Sequence, residues 1–363
     1  MSLRTLALRH PTGETPILVG EGALAAALPA LEAWLFGRAL FVITTPRVRA
    51  LHGRSLDPIQ ALAARSMTLE VEDGEAAKSL ARAEALWSEL LRAGGKRDAR
   101  IVSFGGGSVG DLAGFVAGCF LRGVEYAQFP TTVLAQVDAS IGGKTAVDLP
   151  LAKNSVGLFH HPRFVVSDAV WLPTLPREEL RSGLVEAIKM GAVLDLALLA
   201  AIEETLPELL SGEPGALASV VARGVAAKIA VVERDPDERG DSALLNFGHT
   251  LGHAIETALA YDGLRHGEAV AYGILFALRL AEARGLERGF AIRLRRLLGR
   301  LELPALPDLD SGGLVTLMTR DKKAREGGLD WVLPTAPGRG ALVTGIPLAL
   351  VETELRRFLA DPS

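Results

Sequence analysis

The hydrophobic period of this 363-residue chain changes once, near Leu172-Pro173-Thr174-Leu175-Pro176, and that change bounds what the chain can fold into. Before it, short β-rich runs at 39–44, 66–71, 100–104 and 126–129 alternate with Ala/Leu-rich helical stretches, which argues for a parallel sheet covered by helices. After it, long helical periods run over 177–201, 216–233, 242–260, 267–284 and 290–301. The expected architecture is an α/β N-terminal domain, residues 1–172, followed by a mostly α-helical C-terminal domain, residues 173–363, with the prolines at the seam. The length suits two ordinary domains and leaves ample chain to bury a core.

Composition removes several function classes. A net charge of −4 without a local Lys/Arg cluster offers no field for nucleic acid. No stretch reaches the roughly 18 uncharged apolar residues of a membrane span, and the N-terminus lacks the apolar core of a cleaved signal. The one cysteine, Cys119, cannot form an internal disulfide, which fits a reducing, cytoplasmic setting. Of the 39 basic residues only eight are lysines: Lys78, Lys96, Lys144, Lys153, Lys189, Lys228, Lys322 and Lys323. Where Arg is the default cation, a retained Lys marks a place that needs a compact ammonium or a movable proton.

Three of the seven histidines fall between 249 and 266. If 242–260 is one helix, His249 and His253 stand a turn apart on one face with Asn246 beside them. His266 opens the next helix after a Tyr261-Asp262-Gly263 turn and can fold back toward His249. Two imidazoles and one carboxylate leave zinc an open position, the catalytic rather than the structural arrangement. Glu186, in an otherwise apolar helix, is a candidate for the carboxylate. Solvated helix histidines remain the bland alternative.

The strand at 100–104 runs into Gly105-Gly106-Gly107-Ser108-Val109-Gly110-Asp111 and then a helix, the context in which backbone N–H groups and a helix dipole meet a pyrophosphate. The triple glycine lies in the middle of the α/β half, however, not in its first βα turn. Ile141-Gly142-Gly143-Lys144-Thr145 is no P-loop, because Asp138 stands where the first glycine is required. It is a glycine-rich loop carrying Lys144, with Lys153 and Asn154 close behind, suited to a single phosphate or carboxylate. Ser108 and Cys119 have no neighbouring base in sequence, so covalent catalysis is not expected.

Taken in order, residues 104–111, Phe129-Pro130-Thr131-Thr132, Asp138, 142–145, Lys153-Asn154, 186–189, 246–253, His266-Gly267-Glu268 and Asp321-Lys322-Lys323 resemble the 3-dehydroquinate synthase family of sugar phosphate cyclases. The resemblance covers roughly residues 40–335. It implies a nucleotide-binding α/β domain and a helical domain with the active site in the cleft, and a cytoplasmic, homodimeric lyase of aromatic amino acid biosynthesis on the shikimate pathway. It also implies NAD at Asp73, Gly74, Glu75, Lys78, Gly106, Gly107, Ser108, Val109, Gly110, Asp111, Thr131, Thr132, Lys144, Lys153, Trp171, Leu172, Pro173 and Thr174. Zn²⁺ or Co²⁺ would be held by Glu186, His249 and His266. A sugar acid phosphate would meet Asp138, Lys144, Asn154, Lys189, Lys228, Glu238, Asn246, His253 and the Lys322-Lys323 pair, with Arg122 reaching a neighbouring subunit. Ser242 stands where the family usually has Arg, with Arg239 a possible substitute, and Thr45 where an acidic residue is common. The implied reaction oxidises a substrate hydroxyl with NAD⁺, eliminates phosphate, returns the hydride, opens the ring and closes a carbocycle by an aldol step. A related cyclase or a metal-dependent polyol dehydrogenase would share the glycine turn and the ligands, but the dehydrogenase gives no reason for so many lysines. A non-catalytic NAD sensor gives none for the histidines.

Overall fold

The computed structural model describes residues 3–150, 152–236, 240–285, 288–320, 324–325 and 328–362. The chain divides into two compact units, residues 1–175 with 211–229, and residues 176–210 with 230–363.

In the first unit β1 (Arg4–His10) and β2 (Gly13–Gly20) form a hairpin, then α1 (Ala23–Leu35), β3 (Ala39–Thr44), α2 (Pro46–His52), α3 (Asp57–Leu62), β4 (Arg65–Glu70), α4 (Leu80–Arg92), β5 (Arg100–Gly105), α5 (Gly107–Cys119) and β6 (Tyr126–Pro130) follow. A second hairpin, β7 (Lys144–Leu149) and β8 (Ala152–Phe159), precedes β9 (Val165–Asp168). The seven-stranded sheet has the order β1-β2-β9-β6-β5-β3-β4, parallel except for the β1–β2 pair. Period-two alternation explains its two cores. On β3, Leu40 and Val42 join Val102, Phe104, Ala127, Phe129 and Trp171 on one face, while Phe41 and Ile43 join Ile101, Leu112, Val116 and Tyr126 on the other. The strand order reverses between β3 and β5, so the glycine turn after β5 stands at the topological switch point, where open α/β sheets bind ligands. Its place midway along the α/β half follows, because the chain first builds β3 and β4 outward and then crosses back to β5.

In the second unit, α6 (Arg177–Val193), α7 (Leu196–Glu204) and α8 (Leu206–Leu210) come first. The predicted helix 177–201 is broken because Asp195 leaves helical geometry and caps α7, accepting from Ala197 N at 2.9 Å. Then α9 (Pro214–Arg234) starts in the first unit and ends in the second. It is the one described helix long and apolar enough to cross a membrane, but 56% of its apolar window is buried inside the protein. It also carries Lys228, which is paired with Asp138. Helices α10 (His249–Ala258), α11 (His266–Glu282), α12 (Arg288–Gly299) and α13 (Ser311–Arg320) lead to an antiparallel sheet of β10 (Ala324–Arg325), β11 (Gly328–Ala336) and β12 (Arg339–Pro347), then α14 (Leu348–Ala360). This sheet was not expected. Apart from Asp330, the buried start of β11 (Leu329, Trp331, Val332, Leu333) is a short apolar run, which periodicity alone cannot separate from helix.

Helix α11 is buried almost all round, and small residues let its neighbours approach. A Cβ on Gly267 would stand 2.1 Å from the Ser182 carbonyl oxygen on α6, and one on Gly273 would stand 1.8 Å from that of Gly248 before α10.

Candidate active site

In the second unit, Gly248 in the left-handed region (φ 83°) starts α10 at His249. A separate 3₁₀ turn, Asp241–Asn246, precedes it, so the predicted single helix over 242–260 is not formed and Asn246 does not share the helical face of His249 and His253. The two histidines are one turn apart as expected, His249 buried and His253 exposed, with ring centroids 5.1 Å apart. His266 is the first residue of α11, and its backbone is fixed on both sides. Ser182 Oγ accepts from Gly267 N at 2.9 Å, and Glu268 Oε2 accepts from Arg265 N at 2.9 Å to close a capping box. Arg181 in turn holds Glu268, donating from Nε at 2.8 Å.

Glu186 on α6 is fully buried, and its Oε1 lies 3.8 Å from His249 Nε2 and 3.7 Å from His266 Nε2. These separations are too long for hydrogen bonds and suit one ion bonded to each at about 2.0–2.2 Å. All three donor atoms lie within 4.8 Å of one another. His249 Nδ1 faces the Phe247 carbonyl at 3.3 Å, so the proton belongs there and Nε2 keeps its lone pair toward Glu186. Burial, reinforced by Lys189 and the neighbouring histidines, pushes the His249 pKa well below its ordinary value and keeps the ring neutral, as a ligand must be. Glu186, His249 and His266 therefore fit a divalent metal in donor type and number. The buried Lys189, one turn along α6, binds Glu186 Oε2, the other carboxylate oxygen.

In the first unit, Gly106 caps α5, and Gly107, Ser108, Val109, Gly110 and Asp111 form its first turn. Thr131 N donates to the Gly105 carbonyl at 2.9 Å, and a Cβ on Gly106 would meet the Thr132 methyl at 3.3 Å, so both threonines lie against the glycine turn. Asp73 and Gly74 (φ 78°) precede a short turn that brings Glu75 to Lys78. The Lys78 ammonium is buried among carboxylates. It donates to Asp111 Oδ2 at 2.9 Å and Asn154 Oδ1 at 2.5 Å, with Glu75 Oε2 at 3.6 Å and Asp148 Oδ1 at 4.0 Å. Burial alone would lower its pKa, but Asp111, Glu75 and Asp148 outweigh it and the net shift is upward, so Lys78 stays charged. Lys153 reaches Glu75 Oε2 at 3.5 Å. Asn154 is held in the left-handed region (φ 51°) by Asp148, whose Oδ1 accepts from Asn154 N at 2.7 Å. Asp148, on β7, had no signal in sequence, because only hairpin register brings it to Asn154. Lys144 is exposed at the start of β7. Asp138, in a π-turn, pairs with Lys228, whose Nζ also donates to the Asp138 carbonyl at 2.6 Å.

Other expected positions are placed differently. Trp171, in the turn Ala169–Thr174, is 1% exposed, and its ring lies in the core, edge-on to Phe104 and stacked on Phe129. Leu172 is buried beside it, and Thr174 Oγ1 meets His52 Nε2 at 2.8 Å. Arg122 is exposed with φ 68°. Ser242 binds Asp235, its N donating to Oδ2 at 2.9 Å, and Thr45 caps α2. Glu238, Arg239, Asp321, Lys322 and Lys323 lie outside the described residues.

Residues 68–182 match the family model for the 3-dehydroquinate synthase N-terminal domain, and residues 183–324 match that for the C-terminal domain. The chain belongs to the 3-dehydroquinate synthase family. A 3-dehydroquinate synthase of Symbiobacterium thermophilum is 44% identical over 329 residues, 89% of this chain and 92% of that one. A 2-deoxy-scyllo-inosose synthase, solved with carbaglucose-6-phosphate, NAD⁺ and Co²⁺, superposes with a TM-score of 0.90 at 25% identity, covering 98% of this chain and all (100%) of its own. The 2-epi-5-epi-valiolone synthase of Streptomyces hygroscopicus, with NAD⁺ and Zn²⁺ bound, gives 0.86 at 29% identity, covering 99% and 100%. As a family member the chain is an enzyme of the phosphate-eliminating lyase type, and Glu186, His249 and His266 are where its fold assembles metal-binding donors.

Proposed function

We propose that this protein converts 3-deoxy-D-arabino-heptulosonate 7-phosphate to 3-dehydroquinate and phosphate, using NAD⁺ and Zn²⁺ or Co²⁺. The observation that carries the reading is the convergence of two imidazole Nε2 atoms on Glu186 Oε1 beside the buried Lys189, in a chain of this family. When bound, the metal would lower the pKa of the substrate hydroxyl, and the nicotinamide would take up its hydride and later give it back. The first unit serves as the NAD-binding domain: the N–H groups of residues 107–109, at the start of α5 and ahead of the first helical bond from Gly110 N to the Gly106 carbonyl, would meet the pyrophosphate, with Glu75, Lys78, Thr131, Thr132 and Lys153 around it. The second unit supplies the metal donors Glu186, His249 and His266, and residues of both units bind the substrate. Lys144, Asn154, Lys189, Lys228 and the Lys322-Lys323 pair bind the carboxylate and phosphate of the substrate by charge-assisted hydrogen bonds. Asp138, Glu238 and Asn246 orient its hydroxyls, and His253, exposed one turn from His249, holds or moves a proton at its imidazole. The protein works as a cytoplasmic homodimer in which Arg122 reaches the neighbouring subunit's substrate.

The test is phosphate release from this sugar acid phosphate with catalytic NAD⁺. Release that stops on chelation and returns with Zn²⁺ or Co²⁺ supports the reading. Turnover of another sugar phosphate in its place would move the protein to a related cyclase, and NADH formed from a polyol without phosphate release would make it a dehydrogenase.

A further inference from the structure

Glu256 follows His249 by seven positions and His253 by three, so all three share one stripe of α10. Its side chain is buried, and Oε2 lies 3.1 Å from His266 Nδ1. An ionised carboxylate can only accept, so the imidazole donates. His266 then carries its proton on Nδ1, and its Nε2 lone pair points to the opposite side of the ring, where Glu186 Oε1 lies at 3.7 Å. The Ser182 and Glu268 contacts fix the His266 backbone and leave only the ring torsions free.

We propose that Glu256 is a positioning residue for the metal, locking the tautomer and ring orientation of His266 and raising the basicity of its Nε2. The inference rests on Glu186, His249 and His266 being the metal group and assigns a role to a residue outside it. The two imidazoles are oriented by unlike partners, His249 by the neutral Phe247 carbonyl at 3.3 Å and His266 by a carboxylate at 3.1 Å. Hydrogen bonds to an ionised acceptor are about twice as strong, so His266 is the ligand that depends more on its partner. The donor atoms of His253, Glu256 and His266 also lie within 4.8 Å of one another and could hold a cation themselves. A neutral imidazole has one acceptor nitrogen only, so His266 cannot serve both groups without losing its last ring proton.

The experiment titrates Co²⁺ into the metal-stripped full-length protein against a competing chelator, reading cobalt absorption, for the wild type and for Glu256→Ala, Glu256→Gln and His249→Ala. Expected are one Co²⁺ per wild-type chain, affinity weakened roughly 10–100-fold in Glu256→Ala, and a smaller loss in Glu256→Gln, whose amide oxygen still accepts. Nitrogen-15 NMR of the metal-free wild type should show His266 protonated at Nδ1, and Glu256→Ala should lose that bias. Thermal unfolding of the metal-free variants separates lost packing from lost positioning, and the near-isosteric Glu256→Gln keeps the test decisive if the alanine variant unfolds. Unchanged affinity in both Glu256 variants while His249→Ala abolishes binding would overturn the positioning role and leave the metal group standing. Two Co²⁺ per wild-type chain would make Glu256 a ligand and overturn it, and a wild type that binds none would overturn the metal group and the proposal together.

Discussion

Single residues carry the sharpest tests. Lys144 and Lys96 are both exposed lysines next to glycines, yet only Lys144 begins the hairpin that also holds Asn154. Lys144→Ala should cost about 2–5 kcal/mol in kcat/KM, the usual loss when one partner of a desolvated charge pair is removed. Lys96→Ala should change kcat/KM by less than about twofold, as surface substitutions do. Equal losses in steady-state kinetics would mean that Lys144 is a solvated charge like the other. Gly267 is constrained by space, since an added Cβ would sit 2.1 Å from the Ser182 carbonyl oxygen. Gly267→Ala should lower stability by about 1–3 kcal/mol through backbone displacement and should weaken metal binding with it, because His266 is the preceding residue. Gly299→Ala, with open space around it, is the control and should be neutral or slightly stabilising in urea unfolding.

Among the elements, the contact between the N-terminal hairpin and the segment after β8 has a pH dependence whose sign is determined. His161 stacks on His10, with centroids 3.7 Å apart and planes 9° from parallel, and Tyr126 stacks on His160 beside it. Burial, then the neighbouring His10 and His160, pushes the His161 pKa down to about 4. The unfolded chain therefore binds the extra proton first. Stability contributed by neutral His161 is complete above pH 6.5 and is lost as pH falls toward 4. The full shift would exceed 3 kcal/mol at about 1.4 kcal/mol per unit, and solvent screening at this half-buried ring reduces the expected loss to about 2 kcal/mol. His161→Phe should flatten the stability profile between pH 6.5 and 4 in denaturant titrations, and an unchanged slope would place the acid sensitivity elsewhere. The hairpin β7–β8 gives a second test. Asp148→Ala removes the acceptor that holds Asn154 N and one carboxylate near Lys78, so it should raise the KM for substrate more than it lowers the unfolding temperature.

For the whole molecule, the decisive quantity is the fate of the hydride. In the proposed cycle the ketone formed early is reduced again, so NAD⁺ is required without being consumed. Phosphate should accumulate over many turnovers with no matching rise in NADH absorbance, and one NADH per phosphate would end the synthase reading. Removing the metal should abolish turnover without unfolding the protein, because α6, α10 and α11 are packed through buried apolar residues and close glycine contacts as well as through the metal-binding group.

The sequence by itself determined the parallel α/β first part and the mostly helical second part, and it marked His249, His253 and His266 with Glu186 as candidates for a metal. These are local signals: periods of two and 3.6, a strand running into glycines, and two histidines a turn apart have the same meaning wherever the chain goes. Tertiary structure alone decided the rest. It placed the glycine turn at the switch point, a matter of strand order that no local pattern encodes. It buried the Trp171 ring against Phe104 and Phe129, a core contact that residues so far apart in the chain do not announce. It separated Asn246 from α10 with a left-handed Gly248 and built the β11–β12 sheet from an apolar run that could equally have been helix. It also brought Asp148 to Asn154 and Glu256 to His266. Both are contacts between carboxylates and groups on another strand or helix, and spacing along the chain does not encode them because they form only when register and packing close the distance.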